Sequence, residues 1–133
     1  MVISEGLRWG VVMSVLAIAL AVLGLTPALS WVPELPLLTA AVLLPIFAYG
    51  LAGHRAGLRS GRLLGGLLAG ALAGGISGAV GGACYVVFGK SAFNLLAGFG
   101  LGVIGGAAVG TVGALIALRR RPGIVESNRG KSL

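Results

Sequence analysis

The chain has 133 residues, 57% of them hydrophobic and 10% charged, with a mean hydropathy of +1.05. A soluble domain is about 25% charged, so this composition argues against a water-facing globular fold and for long apolar segments in lipid. The net charge of +7 does not point to nucleic acid, because the basic residues punctuate apolar runs instead of sharing a face with polar and aromatic groups.

A bilayer crossing takes about twenty predominantly apolar residues at about 1.5 Å rise each. Four segments meet or approach that length. The first, 9–29, reads WGVVMSVLAIALAVLGLTPAL and follows Arg8. Arg8, the apolar run and the ALS before Trp31 also have the layout of a cleavable signal peptide. The run is longer than the usual signal core of about 7–15 residues, and Glu5 is out of place in a basic leader, so a retained span is expected.

The second segment, 36–53, reads PLLTAAVLLPIFAYGLAG and is short. Pro45 lies in its middle, removes one N–H and frees the carbonyl of Ala41, which predicts a kink. The kink serves packing, or it exposes backbone oxygens to a solute in the manner of a broken helix. A connection, HRAGLRSGR at 54–62, carries Arg55, Arg59 and Arg62.

The third segment, 63–88, contains the run GGLLAGALAGGISGAVGG at 65–82. In water a glycine costs a helix roughly 1 kcal/mol relative to alanine. In hydrocarbon the backbone must pair internally and helix is nearly obligatory. Helices there associate through close van der Waals contact, which small residues permit. Gly66, Gly70, Gly74, Gly78 and Gly82 recur every four residues, and Gly75 and Gly81 widen the smooth face, which makes this span central with at least two neighbours.

The fourth segment, 93–118, repeats the spacing at Gly98, Gly102, Gly106 and Gly110, continued by Ala114. Laying 63–82 over 95–114 matches both leading leucines, four of these glycines, Val80 with Val112 and Gly81 with Gly113. The two spans run in opposite directions and form a candidate inverted pair, by duplication or by convergence.

Nine basic residues (Arg8, Arg55, Arg59, Arg62, Arg119, Arg120, Arg121, Arg129 and Lys131) fall on the amino-terminal side of such a four-span chain, and Lys90 alone on the other. The positive-inside rule then places both termini in the cytoplasm of a cell (plasma or inner) membrane. Trp9 and Tyr49 sit near the inner boundary in this layout, and Trp31, Tyr85, Phe88 and Phe93 near the outer one. Residues 119–133 form a basic, mobile cytoplasmic tail; with Arg55, Arg59 and Arg62, its Arg119, Arg120 and Arg121 set topology and meet anionic headgroups.

The motifs that could carry chemistry are weak. GLGVIG at 100–105 fits a dinucleotide fingerprint but lies inside a span, not between strand and helix. CYVVFGKS at 84–91 lacks the first glycine of a phosphate-binding loop. His54 is a lone interfacial imidazole and Cys84 a lone apolar thiol, while Ser14, Thr39, Ser77, Thr111 and Asn94 suit backbone or interhelical hydrogen bonds. No acid or base falls within these four segments, although coupled transporters generally use them, and no nucleophile, base or metal set of an enzyme is visible. Small multidrug-resistance exporters carry a glutamate in the first span that 9–29 lacks, and the phenylalanine-rich pore motif of dimeric fluoride channels is missing. The remaining likeness is one of composition, to small glycine-rich bacterial membrane proteins.

The expected architecture is an all-α integral membrane four-helix bundle spanning 1–118, with glycine-zipper packing of the third and fourth helices. The expected role is non-enzymatic and cofactor-free: an accessory subunit of a larger membrane complex or a self-assembling scaffold. A small homo-oligomeric channel or uncoupled carrier, holin-like pores included, is the alternative.

Overall fold

The computed structural model describes residues 2–25 and 33–120. They form four α-helices: α1 (Val2–Leu25), α2 (Glu34–Ser60), α3 (Leu63–Val87) and α4 (Phe93–Arg119). No strand occurs among the described residues. At about 1.5 Å per residue the helices are roughly 36–41 Å long, and each is long and apolar enough to cross a membrane. The chain is thus a candidate multi-pass membrane protein. The ALS at 28–30, Trp31 and the tail from Arg121 onward lie outside the described residues.

The helices run up, down, up, down. Helix α3 touches all three others, as does α2, whereas α1 and α4 do not meet. Burial follows side-chain size: the core is built from glycines and from Ala48, Ala52, Ala56, Ala69, Ala73, Ala114 and Ala117, with Met13 the largest member. Large apolar side chains such as Phe47, Leu101 and Ile104 point outward, the arrangement expected where the surroundings are as apolar as the interior.

Three boundaries differ from the sequence reading, the smallest being the start of α2 at Glu34 instead of 36. Helix α1 begins at Val2 instead of 9, so Glu5 and Arg8 are helical, and a carboxylate does stand within the first membrane-length helix. Helix α2 continues seven residues beyond 53, so HRAGLRS is helix and not connection. The reason lies on its inner face, where Ala52, Gly53, Ala56 and Gly57 are buried while Arg55 and Arg59 reach out to the surface. The helix stops at Gly61, whose φ of 66° is left-handed and whose N–H donates to the Gly57 carbonyl. The Ser60 hydroxyl receives the Arg62 N–H, and α3 starts at once. The two remaining helices match their expected limits to within one residue.

Candidate functional site

The first group of candidate residues lies between α3 and α4. A Cβ added at Gly66, Gly70, Gly74 or Gly78 would collide with backbone carbonyl oxygens of Gly110, Gly106, Gly102 and Gly98 respectively. The reverse holds for Gly98, Gly102, Gly106 and Gly110 against Gly78, Gly74, Gly70 and Gly66. One step further, Gly82 faces the backbone of Asn94 and Leu95. An added Cβ at each of these nine glycines would thus meet backbone of the opposing helix. Gly75 faces the side chains of Phe99 and Val103, also on α4, and Gly81 looks toward Ala17 of α1.

Glycines that the sequence reading did not single out do the same work elsewhere. Gly53 approaches Gly110, and Gly57 stands so near that an added Cβ would lie 2.8 Å from the Ala114 Cα. Gly113 meets the backbone of Gly50 and His54. Gly66 also faces the carbonyl of Gly53, so Gly53, Gly66 and Gly110 bring the backbones of α2, α3 and α4 to one junction. On α1, a Cβ on Gly6 would lie 2.9 Å from the Leu72 Cβ and 3.0 Å from the Ala69 carbonyl oxygen, and Gly10 lies over Ala73 and Ile76. The pairs Gly6/Gly10 and Gly53/Gly57 have the same four-residue spacing as the ridges of α3 and α4; that was the available signal.

Polar contacts tie the same helices together. The Tyr49 hydroxyl and Ser77 Oγ are 2.5 Å apart, and Ser77 Oγ lies 2.9 Å from the Ala73 carbonyl oxygen that it donates to. Tyr49 is eleven residues from the end of α2, about 16 Å along its axis. It therefore sits near mid-depth of the bundle, not at the inner boundary where the short second span had placed it. His54 Nδ1 donates to the Gly113 carbonyl at 3.3 Å, which joins α2 to α4. Ser14 and Thr111 return their hydroxyls to carbonyls four residues back, at Gly10 and Ala107.

Pro45 lies within α2, which is helical on both sides of it. Ala41, whose carbonyl the proline leaves without its usual donor, is exposed together with Val42, Leu43 and Leu44. Among the described side chains of α2, none is buried before Ala48.

The basic candidates gather at one end of the bundle, where α1 and α3 begin and α2 and α4 finish. Arg55, Arg62, Arg119 and Arg120 are exposed there. Arg59 donates to the carboxylate of Glu5, which is 3% exposed against 48% for the arginine. The Arg55 guanidinium carbon stands 5.5 Å from the Trp9 ring centroid, within cation–π range. A cavity of about 210 Å³ opens here, lined by Glu5, Arg8, Trp9, Val12 and Arg55. The ion pair is not legible in the sequence, because its members are 54 residues apart and Glu5 precedes the apolar run at 9–29.

No known protein family, curated protein or solved structure matches this chain.

Proposed function

We propose that the chain is a small polytopic membrane protein that works through helix packing, as an accessory subunit or a self-assembling scaffold, with its basic end and both termini at the cytoplasmic face of the cell membrane. The third and fourth helices form a glycine zipper in this reading, and α1 and α2 join it through glycines of their own. Because the ridge of α3 is engaged within the chain, association with other chains must use other faces. One observation carries this: an added Cβ at Gly100 or Gly105 of α4 would meet nothing within 4 Å. In hydrocarbon such bare backbone is surface that a further helix can approach closely. Contact without a gap along α3 and α4 favours this role over a conduit within one chain.

The orientation rests on charge. Arginines at the ends of α2 and α4 and at the start of α1 lie on one side, and Lys90 in the α3–α4 turn lies on the other. Native mass spectrometry and cysteine crosslinking in native membranes test the role. Gly100→Leu and Gly105→Leu should abolish assembly or partner retention while leaving the helical content and thermal stability of the monomer intact. Retention of assembly in both variants would refute the reading.

A further inference from the structure

The cavity at the basic end has a gradient of chemistry along α1. Glu5 and Arg8 lie nearest the helix start, Trp9 follows, and Val12 lies about 10 Å further in than Glu5. Across from them, α2 contributes Arg55. A carboxylate in the wall would ordinarily repel an anion. Here Arg59 donates to it and Glu5 is almost wholly buried, so its charge is matched before any ligand arrives. Arg8 and Arg55 have no carboxylate partner among the described residues. With Glu5 matched by Arg59, which stands outside the lining, the two lining arginines Arg8 and Arg55 leave a surplus of two positive charges. The Arg55 guanidinium is further held in place by the Trp9 ring.

We propose that this cavity is a binding site for one anionic phospholipid, its phosphate held between Arg8 and Arg55 and the start of an acyl chain running over Trp9 and Val12. The order of charged, aromatic and aliphatic wall follows the order of phosphate, glycerol and chain in such a lipid. Basic pockets between membrane helices on the cytoplasmic side hold anionic headgroups elsewhere. A free phosphate would match only the charged half of the wall and leave Trp9 and Val12 unused. The assignment rests on the membrane-embedded reading above, and it adds to general headgroup attraction a stoichiometry of one and a place between α1 and α2.

The full chain, purified in a mild detergent, is titrated with phosphatidylglycerol or phosphatidylcholine and followed by native mass spectrometry. One phosphatidylglycerol should bind in preference to phosphatidylcholine. Arg8→Gln/Arg55→Gln should weaken that first binding event at least tenfold, whereas Lys90→Gln, which removes an exposed charge at the opposite end of the bundle, should not. Val12→Phe, which narrows the apolar half and leaves every charge in place, should weaken it as well and covers the case that the double variant fails to fold. Equal weakening by Lys90→Gln, or no selectivity between the two lipids, overturns the site. Displacement of phosphatidylglycerol by millimolar inorganic phosphate overturns the lipid assignment in favour of a soluble anion. Alkaline carbonate extraction separates the two levels: a protein released from membranes refutes the embedded reading, while one that stays and binds no lipid selectively refutes this site alone.

Discussion

Replacing Gly74 by alanine adds one methyl group at the closest part of the α3–α4 contact. That carbon would overlap the Gly102 carbonyl oxygen and lie 2.8 Å from the Gly102 carbonyl carbon and 3.0 Å from the Gly106 Cα. Carbon atoms pack best at about 3.5–4.0 Å, so α4 must retreat by roughly 0.5–1 Å. A gap of that size forfeits a quarter to a half of each contact worth about 0.1–0.2 kcal/mol. Over a few tens of atom pairs the loss is about 1–3 kcal/mol, in line with overpacked cores. The higher helix propensity of alanine offsets little of this, because the unpacked chain in lipid is itself helical. A loss of about 2 kcal/mol lowers the ratio of folded to unfolded protein about thirtyfold. Gly105→Ala makes the same chemical change where nothing lies within 4 Å and is expected to stay within about 0.5 kcal/mol of wild type. Reversible unfolding of both variants in mixed micelles, followed by circular dichroism, gives the comparison. Equal stability of Gly74→Ala and Gly105→Ala would refute the close approach of α3 and α4.

Three further outcomes follow from other contacts. Arg59→Gln leaves the buried Glu5 carboxylate without its counter-charge; a loss of about 2–3 kcal/mol is expected, at the low end for a broken buried pair because Arg59 is half exposed, and Glu5→Gln/Arg59→Gln should recover most of it in the same assay. Tyr49→Phe removes the hydrogen bond to Ser77 and should cost about 0.6 kcal/mol, the average for interhelical pairs in a membrane, with a double-mutant cycle against Ser77→Ala giving a coupling of similar size. Gly61→Val forces a β-branched side chain into a left-handed position and should cost about 1–2 kcal/mol, whereas Gly61→Asn should cost distinctly less, both measured by unfolding midpoint.

The number of helices and the limits of α3 and α4 were legible because apolar length and glycine spacing are local properties of the chain. The glycine period of α3 and α4 is local in the same way: four-residue spacing marks one face of each helix, and a single short turn fixes their antiparallel sense. The end of α2 was not legible. His54, Arg55 and Arg59 read as a polar connection, yet they alternate with Ala52, Gly53, Ala56 and Gly57, whose burial keeps the helix going. Charge on one face concealed packing on the other. The Glu5–Arg59 and Tyr49–Ser77 contacts depend on how each helix is rotated against a neighbour far away in sequence, and no periodicity within either segment carries that information.

Packing and charge at the basic end depend on one another. Gly6 rests on Ala69 and Leu72, and Gly10 on Ala73 and Ile76, so α1 descends on α3 along bare backbone. This close approach buries one face of the first turns of α1, Glu5 and Gly6, while Ile3, Leu7 and Arg8 stay exposed. A carboxylate there needs a counter-charge. Arg59 is in reach only because α2 stays helical past 53, drawn on by the contacts of Gly53 and Gly57 with Gly110 and Ala114. The same extension carries Arg55 to the Trp9 ring. Glycines on three helices thus position the arginines, and the cavity is walled by residues of α1 and α2 instead of a loop.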